Sequence, residues 1–212
     1  MRNAKKVMSP SLPYVGVVLV VVVVMYFALT HIERGSESLS QYSSSAANLQ
    51  FKYPSYLNLK LSEGEGGVRI AHMIEFSEGV CADERGVETA KSHETKSLFD
   101  DVSFLVSIDS ANIREIIHDF NDRIKVNEYG ESSLSEVTIG GRQGYFEINA
   151  VEMCGTIEYY FPIDSGTLLV SRSAEVVALR NLGRFDEVKG AATDDEIDRI
   201  FETVVKTAEP LK

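Results

Sequence analysis

Tryptophan is absent from this 212-residue chain, cysteine occurs twice and histidine four times. Two cysteines cannot staple a small disulfide scaffold. Cys81 and Cys154 also lack CxxC spacing, which removes the thioredoxin-type redox motif. One disulfide between them, or two separate cysteines, both stay open. There is no GxSxG elbow for a serine nucleophile, no GxGxxG loop, and no Walker lysine behind the glycines at 64, 66 and 67. Basic residues are scarce: 21 against 32 acids, a formal net charge of -11. The first thirty residues contain none of the acids, so the remainder is more acidic still. Nucleic acid and anionic lipid heads repel such a surface, and nucleic-acid binding is excluded on charge.

What the sequence does have is one long apolar run. Residues 12–29 read LPYVGVVLVVVVVMYFAL without a charge. As a helix they would extend about 27 Å, close to a bilayer's hydrocarbon thickness. Arg2, Lys5 and Lys6 precede the run, while Glu33, Arg34 and Glu37 follow it. Charge asymmetry then predicts an N-terminus inside and a C-terminal domain outside the cytoplasm. The run is longer than the core of a cleaved signal peptide and ends on no A-x-A site, so a signal-anchor is the expectation. The predicted organisation is a cytoplasmic tail at 1–11, a transmembrane helix at 12–32 contacting lipid, a Ser-rich flexible linker at 33–48, and an extracytoplasmic domain at 49–212.

Within that domain, apolar alternation marks strands. Leu57, Leu59 and Leu61 alternate with polar residues, and residues 68–76 and 101–108 read as further strands. Residues 77–100 read as a long polar loop. Ile113, Ile116, Ile117, Phe120 and Ile124 form one stripe at helical spacing, predicting a helix over 111–126 capped by Asp109 or Ser110. Four strand-like pieces follow between 134 and 173, the first two joined through Gly140 and Gly141, a turn that requires positive φ. A short helix or lid is expected over 174–182. Thr193 and Glu196 form a capping box opening a final helix. Strands, helix, strands, helix imply an α+β fold: an antiparallel sheet flanked by helices, preceded by one transmembrane helix.

Several phrases then resemble the PsbP-like and Mog1-like α/β-sandwich domains. Phe51, Tyr53, Pro54 and Ser55 are similar to the family's opening. Gly140, Gly141, Arg142, Gly144, Tyr145 and Phe146 resemble its paired strands, in which a glycine pair precedes an aromatic strand. The segment YYFPIDSGTLLVS and the terminal helix with Phe201 resemble its closing elements. The likeness spans residues 49–208. It implies a sheet sandwiched by helices and a non-enzymatic role, since relatives are mostly binding or assembly factors.

Candidate chemistry is thin. His72 lies among apolar neighbours on a strand and is expected to be a satisfied, partly buried histidine. His93 sits beside Glu94, with Asp83, Glu84 and Glu88 nearby in sequence, a set able to hold a divalent ion but matching no compact metal motif. His118 adjoins Asp119 on the polar side of a helix. Carboxylate pairs that would suit a glycosidase arise by chance in a chain this acidic. Tyrosines are more informative. Alternation puts Tyr159 and Phe161 on one face and Tyr160 on the other, so one face is core and the other is available for a groove. The expected partner or ligand surface comprises Tyr145, Tyr160 and His93.

The sequence therefore predicts a non-enzymatic binding or assembly module, tethered to the outer face of the cytoplasmic membrane and acting on another envelope protein, with no cofactor. The alternatives are a small-ligand or divalent-ion binding domain and, more remotely, a small hydrolase.

Overall fold

Period-two alternation accounts for most of what the chain does. The computed structural model describes residues 38–64, 66–76, 97–124, 133–151 and 154–211, all inside the unit Ser38–Lys212. Its strands are β1 (Leu39–Ser44), β2 (Leu49–Pro54), β3 (Lys60–Gly64), β4 (Gly67–Phe76), β5 (Ser97–Asp109), β6 (Ser135–Ile139), β7 (Arg142–Val151), β8 (Cys154–Ile163) and β9 (Gly166–Ser173). Its helices are α1 (Ile113–Ile116), α2 (Phe120–Arg123), α3 (Ala174–Asn181) and α4 (Asp194–Thr207). A seven-stranded antiparallel sheet runs in the order β3-β4-β5-β9-β8-β7-β6, and β1-β2 forms a separate hairpin. The α+β reading, an antiparallel sheet flanked by helices, is what the described residues show.

The main core lies between one sheet face, α4 and the β1-β2 hairpin. Val68, Ile70, Phe104, Val106, Phe161, Leu168 and Val170 meet Ile197, Ile200, Phe201, Val204 and Val205, closed by Leu49 and Phe51. Burying each such side chain contributes about 1.5–3 kcal/mol before entropy is counted. Phe104 and Phe201 stack at 5.4 Å, and the Arg172 guanidinium covers both rings. The capping box at Thr193 and Glu196 is present, giving α4 its sharp start. Gly140 and Gly141 have φ of 58° and 82°, the two-residue hairpin geometry joining β6 to β7.

Three expectations change. The membrane span comes first. Residues 12–32 lie outside the described residues, and among the described residues no helix is long and apolar enough to cross a membrane. The longest, α4, has 14 residues. At 1.5 Å per residue that is about 21 Å, against a hydrocarbon core of about 30 Å, and only one side of it is apolar. The single-pass anchor, the lipid contact, the placement on the outer face of the cytoplasmic membrane and the tethering of the module all depended on that span, and they are withdrawn with it.

The second change concerns the linker. Leu39–Ser44, expected to be part of a flexible tether, is β1, paired in register with β2. Tyr42 supplies its inward contact, its ring 5.3 Å from Phe51.

Third, the helix predicted over 111–126 is two single turns. Asn112, not Asp109 or Ser110, caps α1 through a capping box with Glu115. Ile117 is extended, and Asp119 adopts φ 54°, ψ 35°, a left-handed conformation that Asp tolerates better than most residues. On either side of the break, Ile113, Ile117 and Phe120 pack on the same sheet face.

Candidate binding site

The hairpin of β7 and β8 sets the site. Its register places Tyr145 opposite Tyr160, Glu147 opposite Glu158 and Asn149 opposite Thr156. Alternation sends all six side chains to one face. Tyr159 and Phe161 take the other face and pack into the core with α4, as the sequence predicts.

Over the first face lie α1 and α2. Ile113, Ile117, Phe120 and Leu134 close on Tyr160, with Tyr145 and Leu169 beside it. The Phe120 and Tyr145 rings meet edge to face at 5.0 Å. Beneath this cover, Glu147 is 4 % exposed. Arg123, at the end of α2, forms an ion pair with it. The Arg123 carbonyl accepts from Leu134 N (3.2 Å) and Ser133 Oγ (3.0 Å), which fixes the arginine's place in the chain.

Tyr160 Oη lies 2.7 Å from Glu147 Oε1 and 2.6 Å from Glu158 Oε2. A phenol donates one hydrogen, so it cannot satisfy both carboxylates at once. The polar partners of Glu158 are otherwise neutral: Asn149 Nδ2 donates at 3.2 Å and Thr156 Oγ1 at 3.4 Å. Glu147 therefore has a cation against it, whereas the partners of Glu158 carry no positive charge.

Burial pushes the Tyr160 phenol above its ordinary value, reinforced by the hydrogen bond and charge of Glu158 and partly opposed by Arg123. Folding thus favours the neutral phenol. That stabilisation is complete below pH about 10, where unfolded tyrosine titrates, and is lost as pH rises toward the higher folded value. Tyrosinate absorbance followed on raising the pH should show a late-ionising tyrosine that Tyr160→Phe removes. A variant that keeps the same late step would assign it to another ring.

A recess of about 210 Å³ opens beside this cluster, between α1 and the middle of the sheet. Leu105, Ile116 and Leu169 form its apolar walls; Glu158, Tyr160 and Ser171 are polar. Two larger recesses of about 510 Å³ lie elsewhere. One, toward β6, is lined by Glu136, Thr138, Gln143 and Tyr145; the other, by the C-terminus, by Arg142, Asp164 and Glu209. Of these three, the small one holds Glu158, whose hydrogen-bond partners are all neutral.

A second buried carboxylate serves a different purpose. Asp101 is fully buried. The β4-β5 register slips between His72 and Met73, so Asp101 is the extra residue of a bulge, which re-aims its side chain inward. Its Oδ1 lies 2.6 Å from His72 Nδ1, and its Oδ2 accepts from Ala192 N at 2.7 Å. Arg180 donates to the Asp101 carbonyl (3.1 Å), the Ala192 carbonyl (2.7 Å) and Asp194 Oδ1 (3.2 Å). This network joins β5 to the connection between α3 and α4. His72 is thus the satisfied, partly buried histidine that its neighbours predict.

The remaining site residues fall as follows. Tyr160, expected on a surface, is 5 % exposed and presents its hydroxyl inward. Tyr145 is half-buried beside it and also lines the larger recess. Cys154 is disulfide-bonded. His93 and Cys81 lie outside the described residues, as does the acidic group around His93. Among the described residues no group of three or more metal-binding side chains occurs. Sequence reading missed Glu147, Glu158 and Arg123. The only signal for the two glutamates was their spacing of two residues from Tyr145 and Tyr160; Arg123 carried none.

No family model and no curated protein matches this chain. Among solved structures, it is similar to a protein from Bacteroides thetaiotaomicron VPI-5482, with 18 % identity and a TM-score of 0.37 over 81 % of this chain and 48 % of that one. It is also similar to cyanobacterial PsbP (CyanoP) from Synechocystis sp. PCC 6803, with 12 % identity and a TM-score of 0.34 over 84 % of this chain and 95 % of that one. The chain spans about half the length of the Bacteroides protein. Likenesses at this level transfer no activity. The resemblance read from the sequence, a PsbP-like or Mog1-like domain in a membrane-anchored envelope protein, is accordingly corrected to the architecture alone: an α+β domain whose antiparallel sheet is flanked by helices.

Proposed function

We propose that the Ser38–Lys212 unit is a non-catalytic binding or assembly module, and that it binds through the sheet face beside α1 and α2. The supporting observation is how the buried ionisable groups are used. Glu147 is matched by Arg123, and Asp101 by His72 and Arg180. Both described histidines bond to aspartates, and Cys154 is held in a disulfide. Catalysis by a nucleophile needs a base aimed at a reactive hydroxyl or thiol; these groups are instead aimed at one another. The same face carries half-exposed Leu105 at the mouth of a recess, the mixture of apolar and polar surface that contact sites use.

Site-specific photocrosslinking in cells tests this. A benzoylphenylalanine at Leu105 should give one adduct of defined mass, and the same probe at Asp198, exposed on α4, should not. Equal crosslinking from both positions, or none from Leu105, would remove the binding face from the account.

A further inference from the structure

We infer that the recess beside α1 binds a primary ammonium group on a short apolar stem, with the ammonium against the Glu158 carboxylate and the stem against Leu105, Ile116 and Leu169. This rests on the preceding reading of the face as a binding surface and assigns its ligand chemistry.

The charge balance leads to it. Two carboxylates face each other across β7 and β8, and between them stands a phenol with one hydrogen to donate. Arg123 supplies one positive charge, and it sits on Glu147. Glu158 keeps only neutral donors, Asn149, Thr156 and a share of Tyr160. An added cation within reach of Glu158 would offset its charge and free the phenol to donate to Glu147. Opposite charges attract most strongly out of bulk water, and the half-buried Glu158 is the carboxylate of this pair with no cation among its hydrogen-bond partners.

Shape fixes the rest of the ligand. The recess holds about 210 Å³, roughly seven waters at about 30 Å³ each. That suits an alkyl stem of a few carbons and not a large ring system. Its walls opposite the carboxylate are leucine and isoleucine, which favour a stem without polar groups of its own. An anion would meet Glu158 unpaired, and a neutral alcohol would forfeit the charge. The net charge of -11 raises the local concentration of any cation approaching the surface. The same chemistry comes from two sources, a free alkylamine or the lysine side chain of a partner protein, whose four-carbon stem has a matching length.

The test is an NMR titration of the full chain at neutral pH with n-butylamine, 1-butanol and Nα-acetyl-lysine N-methylamide. Butylamine should give saturable shifts at the amides of Leu105, Leu169 and Ser171, and butanol should bind at least about tenfold more weakly. Glu158→Gln, which keeps the side chain's shape, should weaken butylamine by about the same factor. Leu105→Lys, which places a tethered ammonium at the mouth, should compete with it. Binding of the lysine derivative as strong as that of butylamine assigns the site to a partner's lysine; binding of butylamine alone assigns it to a small amine. Equal binding of butanol, or an undiminished response in a folded Glu158→Gln variant, overturns the ammonium assignment while leaving the face as a binding surface. Absence of shifts with all three probes overturns the recess as a ligand site, and the crosslink from Leu105 then decides separately whether the face binds a partner.

Discussion

Asp101→Ala is expected to destabilise the folded unit by about 3–5 kcal/mol, the cost of removing one partner from a buried ion pair. Asp101 is fully buried, and its carboxylate satisfies His72 Nδ1 and the Ala192 amide. Arg180 lies 3.8 Å from the same carboxylate. Alanine would leave a buried amide without an acceptor and a guanidinium without its nearest buried charge. Arg180 would keep its bonds to the Asp101 and Ala192 carbonyls but would have little charge left against it. Its Nε has no hydrogen-bond partner, its Cζ stacks 5.0 Å from the Phe185 ring, and its remaining anion, Asp194, is 75 % exposed. The loss should be local before it is global. Ala192 directly precedes Thr193, the cap of α4, so the start of that helix should open first. Urea denaturation gives the magnitude, and hydrogen exchange at the Ala192 amide gives the place. With a urea slope of about 1–3 kcal/mol per molar, the midpoint should fall by more than about 1 M. A fall of under about 1 kcal/mol, typical of a surface pair, would mean that packing of Val176, Leu179 and Phe185 holds this corner without the carboxylate. Arg180→Met in the Asp101→Ala background should then cost little more, because the two residues act as one unit.

Much of this fold is legible in the chain because its signals are local. Alternation in β4, β5, β8 and β9, the glycine pair at 140–141 and the Thr193–Glu196 box each specify a conformation within a few residues. The failures occur where a local pattern has two solutions. The stripe Ile113, Ile116, Ile117, Phe120, Ile124 fits one helix. It fits equally well two turns broken at Ile117–Asp119, because either arrangement lays the same side chains on the sheet. Only tertiary contact with Tyr160 and Leu134 selects the second. In β1 the inward positions are Ser40, Tyr42 and Ser44, so a strand with one aromatic anchor reads as a serine-rich tether. The site is half legible. Tyr145 and Tyr160 stand out as aromatics on neighbouring strands. The pairing of Glu147 with Glu158, however, depends on the β7-β8 register, and the arrival of Arg123 depends on where α2 ends. Asp101 was unreadable for a related reason: a bulge of one residue turns a side chain that simple alternation sends outward.

Reduction of the disulfide at Cys154 should cost about 2–4 kcal/mol, the usual contribution of a bond that closes a long loop. The chain has one other cysteine, Cys81, 73 positions earlier, and we propose that it is the partner. Closing a loop of that length restricts the unfolded chain strongly, while adding little to a folded sheet that already holds its strands together. The position matters as much as the length. Cys154 opens β8, and position 81 falls between the end of β4 at Phe76 and the start of β5 at Ser97. In the sheet, β5 and β9 separate β4 from β8, so the bond would tie one half of the sheet to the other beyond the reach of any single strand pairing. The urea midpoint should therefore drop on adding a phosphine reductant, and the Cys81→Ser/Cys154→Ser double variant should show the lower midpoint with or without it. Non-reducing electrophoresis and thiol titration separate the alternatives. A monomer without free thiols supports the intrachain bond. A reductant-sensitive dimer, in which Cys154 of two chains pair, would refute it and make the bond an assembly contact, with Cys81 then titrating as a thiol. The stability loss should also appear in the recess, because β7 and β8 carry both carboxylates and Cys154 pairs with Val151 at the end of that hairpin. If the disulfide steadies the hairpin register, reduced protein should bind n-butylamine more weakly than oxidised protein even where both remain folded.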